Sequence, residues 1–263
     1  MFTMIAYDMA KVGAAAALAV TTPVPDAHVT IDGNNIVVPK GMNKVCGLYY
    51  AHGTAAVAGT PSLVQLQSPA LRRVFQNDYA RMHDSNAAVT ERDITLFPDS
   101  PIPLDENEGL QAWCANTGAL ALARALIGVW LCDAPAKAIS GEVRTIRYTT
   151  VTPAVADTWT LGNLTVIQQL PQGTYAVVGA RCLSVGDCGL FRLIFTGYDW
   201  RPGGVMTMAT AVPGIPNPDI EFQRNGYLGE WGRFDWMHLP RLEVCTIAAV
   251  ANPDLYLDLI KVG

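Results

Sequence analysis

The chain has 263 residues, of which half are apolar and only 16% are charged, and its formal net charge is −5. This length allows two modest domains that each bury a core, whereas an acidic chain without a basic run is a poor candidate for wrapping nucleic acid, because that binding depends on neutralising phosphates. One way to accommodate a surface with so few charges is extensive contact between subunits.

The first segment, residues 1–20, is apolar and leaves two alternatives open. In a helix, one face would carry Phe2, Ile5, Met9 and Val12, which favours a short docked or membrane-apposed helix. The same residues also suit a first strand, or an arm packed on a neighbouring subunit. The apolar run is too short to span a bilayer, and the missing basic start argues against a signal peptide.

The rest of the chain is rich in predicted strands and poor in helix. Alternating or continuous apolar runs predict strands near 28–38, 44–51, 62–67, 119–132, 143–151, 158–168, 174–183, 189–197, 204–211, 242–250 and 254–261. The clearest helix begins at Ser68, whose hydroxyl caps the free amides, with Pro69 at the first position and an apolar stripe to about Met82. Residues 119–125 are ambiguous between helix and strand.

Two stretches of the chain look like copies of one another. The pattern Pro-x-Gly-x-x-x-Val-x-Gly occupies residues 39–47 and again residues 171–179, 132 positions later (171 − 39). A short alternating strand with a Gly-Asn turn precedes each copy, at Val29–Asn34 and at Trp159–Asn163. Self-similarity at half the chain length indicates one fold used twice, which is rarer in enzymes with a single active site than in symmetric assemblies.

Further paired features support this repeat. They are the apolar runs Leu63–Leu66 and Leu190–Phe195, the lone tryptophans Trp113 and Trp236, and the closing strands Val129–Asp133 and Asp254–Asp258. Since Pro-x-Gly turns are common between strands, chance similarity remains the alternative. The turn-rich segment Asp133–Gly141 is the predicted boundary, which gives a first domain over 1–137 with an N-terminal arm and a second over 138–263.

The sequence predicts no catalytic, cofactor-binding or metal site. The four histidines are isolated, and no nucleophile elbow is present. A histidine in Arg81–Asp84, at the expected helix end, is more typical of a favourable dipole partner than of an acid or base. The carboxylates of Asp105, Glu106 and Glu108 suit a solvated acidic loop better than a cation cage, which would need alternating ligands around a glycine turn.

The six cysteines do not have the spacing of a zinc site. Most lie in apolar strands, where a thiol behaves as a small core residue. This pattern favours synthesis in a reducing compartment, and it leaves a Cys182–Cys188 bridge open.

Aromatic and arginine residues concentrate between positions 198 and 236. The set comprises Tyr198, Trp200, Arg201, Arg224, Tyr227, Trp231, Arg233, Phe234 and Trp236. Such a mixture is typical of a protein interface, and it would also stack sugars or single-stranded bases. In an acidic chain, an interface or simple core packing is favoured. The proline-rich loops Glu91–Glu108 and Val212–Pro218 are expected to project from one end of each half and to be outermost.

A resemblance to a known family rests on the two copies of the repeated motif. The second copy, residues 170–179, reads Leu-Pro-x-Gly-x-Tyr-x-Val-x-Gly, and a degenerate copy occupies residues 38–47. The motif resembles the strand pair near the start of each sandwich in double jelly-roll capsid proteins of non-tailed icosahedral viruses. The resemblance implies an all-β fold of two tandem jelly-roll β-sandwiches, with a short helix in the first. It also implies three subunits in a pseudo-hexagonal capsomer, because six similar sandwiches tile a hexagonal site. A shell of this kind often encloses a lipid membrane. The chain is short for the group, and the helix expected after Phe195 is unclear.

The function expected from this resemblance is a structural capsid protein without catalysis or cofactors. Its partners would be itself, as a homotrimer and in neighbouring capsomers, minor capsid proteins and an internal lipid membrane, with no sequence-specific nucleic acid binding. It would be assembled in the host cytoplasm and located in the virion. The alternative is a carbohydrate-binding or carbohydrate-active β-sandwich protein with the aromatics of Trp200–Trp236 as a sugar platform. Gel filtration distinguishes the two functions, because the alternative predicts a monomer and the capsid function predicts a trimer or a larger shell.

Overall fold

A computed structural model describes residues 1–10, 18–53, 60–75, 79–85, 92–96, 98–116, 124–151, 155, 158–185, 189–208, 228–246 and 251–263. Two compact units are present. The amino-terminal unit is Ile5–Asp133, and the carboxy-terminal unit is Ala134–Gly263 together with Met1–Met4. The chain therefore passes from one unit to the other within the turn-rich segment Asp133–Gly141.

The described part of the first half forms β1 (Phe2–Ala10), β2 (Ala19–Val20), β3 (Thr22–Pro23), β4 (Ile31–Asp32), β5 (Asn35–Val37), β6 (Lys44–Gly53), β7 (Thr60–Gln67), α1 (Pro69–Phe75), β8 (Tyr79–Ser85), β9 (Arg92–Leu96), β10 (Ile102–Pro103), β11 (Gly109–Asn116) and β12 (Arg124–Cys132). The second half forms β13 (Val143–Val151), β14 (Thr160–Val166), β15 (Thr174–Val185), β16 (Gly189–Ile194), β17 (Gly203–Met208), β18 (Gly232–Asp235), β19 (Arg241–Thr246) and β20 (Ala251–Lys261).

In the amino-terminal unit, the strands form two sheets. One contains β1, β12 and β6 in that order, with β9 and β10 both pairing with β6, and the other contains β5, β11, β7 and β8. When β9 and β10 are taken as one interrupted strand and the short β2, β3 and β4 are set aside, eight strands remain in the orders 1-8-3-6 and 2-7-4-5. This is the strand order of a jelly roll, a sandwich built from two Greek keys.

The carboxy-terminal unit repeats this order. Its strands run β13-β20-β15-β18 and β14-β19-β16-β17, again 1-8-3-6 and 2-7-4-5. Within this unit, the two four-stranded sheets are joined where β13 pairs with β14 and where β15 pairs in parallel with β17. The predicted all-β fold, with its short helix in the first half, is confirmed.

A β-bulge interrupts the pairing of β6 with β12. Gly47 lies opposite Trp130 and Val45 lies opposite Leu131, so that Cys46 has no counterpart on β12. A bulge adds one residue to one strand and increases the local twist, and it is a feature that a fold retains rather than a defect. The third and last strands of this unit therefore meet with a defined local bend.

The carboxy-terminal unit has the same bulge between β15 and β20. Gly179 lies opposite Asp258 and Val177 lies opposite Leu259, so that Val178 is the extra residue. The two bulges are 132 positions apart (178 − 46), which is the offset of the Pro-x-Gly pattern. The sequence repeat is therefore a repeat of backbone geometry as well as of strand order.

The Pro-x-Gly turns precede the third strand of each unit. The glycines Gly41 and Gly173 have φ angles of 80° and 151°, a region that side chains with a Cβ rarely adopt. In the second copy, the Tyr175 hydroxyl donates a hydrogen bond to the Pro171 carbonyl at 2.6 Å. The shared spacing of proline and glycine thus reflects a turn that both units need in order to start this strand.

Two of the predicted correspondences are wrong in detail. Trp113 lies in β11, the seventh strand of its unit, whereas Trp236 follows β18, the sixth strand of the other, so they are not equivalent. A Gly-Asn turn joins β4 to β5 at Gly33, but Gly162 pairs with Leu242 within β14 and makes no turn. Strand pairing, rather than the local sequence, decides the conformation at the second site.

The closing strands are equivalent in the two units. Leu131 and Leu259 hold the same position beside the bulge, an offset of 128 (259 − 131).

Helix α1 begins as predicted and ends early. It starts at Pro69, and the Ser68 hydroxyl accepts a hydrogen bond from the Leu71 backbone N–H at 3.1 Å, so the predicted cap is confirmed. The helix ends at Phe75, not near Met82.

Residues 79–85 instead form β8, which pairs with β7. The segment Arg81–Asp84 therefore lies in a strand, and its predicted position at a helix end is wrong. Pairing along β7 outweighs the helical spacing of the apolar residues, because propensity is only a weak prior against tertiary contacts.

The first segment is strand β1, not a helix. It lies between β12 and β3 in the sheet, and residues Phe2–Tyr7 are all buried. Consecutive residues point to opposite faces of a sheet, so burial of all six indicates a strand that is covered on both faces, whereas an amphipathic surface helix leaves one side exposed. The interpretation as a first strand is confirmed, while residues 11–17 lie outside the described part. Of the ambiguous stretch 119–125, residues 119–123 lie outside the described part, and Arg124 and Ala125 belong to strand β12.

We expect the two turn glycines to differ in their tolerance of alanine. A Cβ at Gly41 meets nothing within 4 Å, so Gly41→Ala should cost about 1 kcal/mol from backbone strain alone. A Cβ at Gly173 would lie 2.5 Å from the Gly263 carbonyl oxygen, so Gly173→Ala should cost clearly more, about 2 to 3 kcal/mol. Urea unfolding of both variants measures the difference. Equal midpoints would contradict the close approach of Gly173 to the backbone of Gly263.

Candidate assembly surface

Part of the aromatic set belongs to the core of the carboxy-terminal unit. Trp231 is buried, stacks on Phe191 with 5.9 Å between ring centroids, and meets the edge of Phe2 at 5.2 Å. Phe234 is also buried and stacks on Tyr175 at 5.9 Å. These rings are therefore core packing and do not form a sugar platform.

The rest of the aromatic set is less uniform. Trp200 is half-buried and lies edge-on to Tyr198, with 4.7 Å between ring centroids. Trp236 is exposed in the turn after β18, whereas Arg224 and Tyr227 lie outside the described residues. Arg233 forms an exposed ion pair with Glu230 at 2.7 Å.

Arg201 belongs to a buried ion cluster. The Glu243 carboxylate on β19 accepts hydrogen bonds from Arg192 Nε at 2.5 Å and from Arg201 Nη1. The Arg192 guanidinium lies 4.0 Å from the ring centroid of Trp159, a favourable contact with the negative face of the indole. Because one carboxylate serves two guanidinium groups, removal of its charge leaves both cations buried without their counter-ion.

The same cluster holds the first residues of the chain in the carboxy-terminal unit. The Met4 N–H donates to the Arg201 carbonyl at 3.0 Å, and the Arg201 N–H donates to the Thr3 hydroxyl at 3.1 Å. Arg192 Nη1 donates to the Met4 carbonyl at 3.4 Å. Arg192 lies in strand β16 and Arg201 lies in the aromatic segment. Together they hold the start of strand β1.

The acidic segment of the amino-terminal unit has a structural role. The Glu108 carboxylate accepts hydrogen bonds from the Ala70 N–H at 3.0 Å and from the Asp105 N–H at 3.2 Å, and Glu106 accepts one from the Gly41 N–H at 3.2 Å. These carboxylates satisfy backbone donors of α1 and of the turns. Within the described ranges, no group of three or more His, Cys, Asp or Glu side chains is placed to hold a metal ion.

Other predicted features lie partly outside the described residues. The segment Glu91–Glu108 contains strands β9 and β10 as well as loop, so it is not one long loop. Its counterpart Val212–Pro218 lies outside the described part. Cys188 also lies outside it, so the Cys182–Cys188 bridge stays a prediction.

Of the histidines, His238 is exposed and lies 3.8 Å from the Asp235 carboxylate.

The sheet face of β13, β15 and β20 is charged and internally paired. Arg147 lies 2.8 Å from Asp254, and Arg181 lies 2.8 Å from Asp258, which also accepts a hydrogen bond from the Thr145 hydroxyl at 2.5 Å. Ion pairs within one face leave little unbalanced charge to attract a partner. This face is therefore less suited to lateral contacts than an uncharged one.

Strand β14 has a free, uncharged edge. Residues Thr160–Gly162 pair with β19, but the following residues, Asn163–Val166, pair only with β13. The last pair of the ladder with β19 is Gly162 with Leu242, and the same register would place Pro240, which has no N–H to donate, opposite Leu164. In the part of the chain that the structure describes, the other edge of Asn163–Val166 has no strand beside it.

This edge carries exposed apolar side chains. Leu161, Val166 and Ile167 are exposed, Ile167 by 52%, and Thr160 to Gln169 contains no charged residue. An open edge with apolar side chains and no charge is a template for pairing with another strand. We define the β14 edge as residues Asn163–Ile167.

A polar groove lies on the amino-terminal unit. It has a volume of about 570 Å³, and its lining includes Asp32, Asn35, Gln67, Arg72, Asn107 and Gln111. The indole N–H of Trp113 donates to Gln111 at 3.1 Å. Side-chain amides that line a groove can hydrogen-bond neutral polar ligands such as sugars.

No helix among the described residues is long and apolar enough to cross a membrane. No family model and no curated protein match the sequence. Among solved structures, the chain is similar to PRD1 vertex protein P5, with 11% identity and a TM-score of 0.36 over 49% of this chain and 96% of that one. It is also similar to the major capsid protein P2 from bacteriophage PM2, with 10% identity and a TM-score of 0.23 over 100% of this chain and 98% of that one. At such low TM-scores, neither likeness defines the fold or function of this chain.

The buried cluster should respond strongly to loss of the shared charge. We expect Glu243→Gln to lower the free energy of unfolding by about 3 kcal/mol or more, because two buried guanidinium groups lose their counter-ion. The matched control is Glu230→Gln, which breaks the exposed pair with Arg233 and should change stability little. Thermal unfolding of the two variants tests this expectation. Similar midpoints would show that the charge of Glu243 does not stabilise the carboxy-terminal unit.

Proposed function

We propose that this chain is a structural capsid protein that self-assembles, as pseudo-hexagonal trimers, into an icosahedral viral shell. The observation that carries the proposal is the repeat of one strand order and one bulge in two units of a single chain. Three copies of such a chain present six similar sandwiches around a three-fold axis, while every contact between copies stays equivalent by symmetry. The sequence resemblance to double jelly-roll capsid proteins supports the same function.

The β14 edge is the lateral contact in this proposal. The backbone N–H and C=O groups on the side opposite β13 would be satisfied by a strand added from a neighbouring copy. The absence of charge from Thr160 to Gln169 means that two like edges meet without repulsion. Burial of Val166 and Ile167 would add about 1.5 to 3 kcal/mol per fully buried side chain.

The proposal extends to partners and location. The chain would contact neighbouring capsomers, minor capsid proteins and an internal lipid membrane, would be assembled in the host cytoplasm and would reside in the virion. It would act without catalysis and without a cofactor. The buried positions of Trp231 and Phe234, and the use of Glu106 and Glu108 as backbone acceptors, support a scaffold rather than a reactive cleft.

We expect the wild-type chain to form trimers and larger particles in sedimentation velocity experiments, and the double variant Val166→Lys with Ile167→Lys to lose the larger particles. Charges on the edge would repel each other when two copies meet. The matched control, Met237→Lys with Val262→Lys, alters two exposed apolar residues of the same unit elsewhere and should assemble normally. A wild-type chain that stays monomeric at high concentration would overturn the capsid proposal, and a charged edge that still assembles would overturn this contact.

The polar groove supports a second candidate, a carbohydrate-binding protein. In that case, the chain would be a monomer in gel filtration and would bind neutral glycans through the amides that line the groove. Gln111→Ala should then weaken glycan binding, whereas Gln168→Ala, at an exposed glutamine of the carboxy-terminal unit, should not. Assembly without glycan affinity rejects this candidate.

A further inference from the structure

Two cysteines meet at the bulge of the amino-terminal unit. Cys46 is the extra residue of β6, and Cys132 is the last residue of the neighbouring strand β12. Both side chains are buried, at 3% exposure, and the two sulfur atoms share a hydrogen bond. They are 86 positions apart in the sequence (132 − 46), so only the pairing of β6 with β12 brings them together.

The hydrogen bond makes the two thiols chemically unequal. It lowers the pKa of the Cys132 thiol, because the bond from Cys46 stabilises the Cys132 thiolate, and it raises the pKa of Cys46. The thiolate is the nucleophilic form of cysteine. Cys182 in the other unit is a contrast, because burial raises its pKa and keeps its thiol protonated and inert.

The repeat supplies an internal comparison. Val178 and Ile260 hold the positions of Cys46 and Cys132 in the carboxy-terminal unit, since Val178 is the extra bulge residue and Ile260 lies opposite Ala176 as Cys132 lies opposite Lys44. Both are aliphatic. The bulge therefore does not need sulfur, and the cysteine pair is a property of one unit only.

We propose that Cys46 and Cys132 are a redox-active pair that closes to a disulfide when the folded protein meets a low-molecular-weight disulfide such as oxidised glutathione. The Cys132 thiolate attacks one sulfur of the oxidant, forms a mixed disulfide and releases one thiolate. Cys46 then loses its proton and attacks the Cys132 sulfur, which forms the intramolecular bond and releases the second thiol. Two protein thiols are oxidised, and one small disulfide is reduced to two thiols.

The cross-link would join the third and last strands of the amino-terminal unit. It would close a loop that contains β7, β8, β9, β10 and β11, and a loop of this size gains much from constraint of the unfolded chain. The bond would therefore stabilise this unit after the protein leaves a reducing compartment. The inference depends on the contact of two side chains and holds whether or not the chain assembles.

The test uses the full chain, purified reduced and then equilibrated with oxidised and reduced glutathione. Non-reducing peptide mapping by mass spectrometry should show a Cys46–Cys132 linkage with the loss of two hydrogens. The thermal midpoint should rise by about 5 °C or more relative to the reduced protein. A folded wild-type protein that forms no such linkage in fully oxidising buffer overturns the proposal, and this result needs no variant.

A variant that copies the other unit tests the order of attack. In the reduced wild type, brief treatment with iodoacetamide should alkylate Cys132 before Cys46, whereas Cys46→Val, which lacks the donor that stabilises the Cys132 thiolate, should alkylate Cys132 more slowly. Cys182→Ala is the control and should form the linkage like the wild type. Equal alkylation of Cys46 and Cys132 in the reduced wild type would overturn the assigned roles.

Discussion

The fold depends on the antiparallel pairing of the third strand with the last strand in each unit, around a single bulge. These strands are β6 with β12 and β15 with β20, and in both units they lie in the middle of a sheet. The last strand pairs with one edge of the third strand and the sixth strand pairs with the other, while the fourth, fifth and seventh strands lie in the opposite sheet. Such pairing between strands far apart in the chain is the long-range constraint of a Greek key. The bulge sets the bend between these two strands. A change to this pairing would move every other strand of its unit.

The two units use one backbone with different side chains at this position. Trp130 faces the bulge in the amino-terminal unit, and Asp258 faces it in the carboxy-terminal unit, where Arg181 and Thr145 bind the carboxylate. The position opposite the bulge therefore accepts either a large apolar ring or a carboxylate. The carboxylate is tolerated because a buried polar group costs little when it is paired and hydrogen-bonded. The backbone is thus the repeated property, while the side chains are free to give each unit its own chemistry. The thiol pair of one unit and the buried arginine cluster of the other are two results of this freedom.

Local signals in the sequence predict local structure well here. The Pro-x-Gly pattern marks the turn before the third strand in both units, and Ser68 with Pro69 marks the start of α1, since backbone conformation and capping depend on a few neighbouring residues. The same kind of signal fails where a distant strand decides. The apolar spacing that indicates a helix to Met82 belongs in part to a strand paired with β7. The equivalence of Trp113 with Trp236 fails because the first lies in the seventh strand of its unit and the second follows the sixth strand of the other.

The sequence by itself determined that the protein is rich in strands, that a motif recurs 132 positions later and that charge is scarce. Only the tertiary structure decided that Trp231 is core, that Arg192 and Arg201 share Glu243, that Cys46 meets Cys132 and that no described strand pairs with the second edge of Asn163–Val166. The physical reason is that periodicity specifies which face of a strand a side chain occupies, whereas the partner strand and its register depend on contacts between residues far apart in the chain.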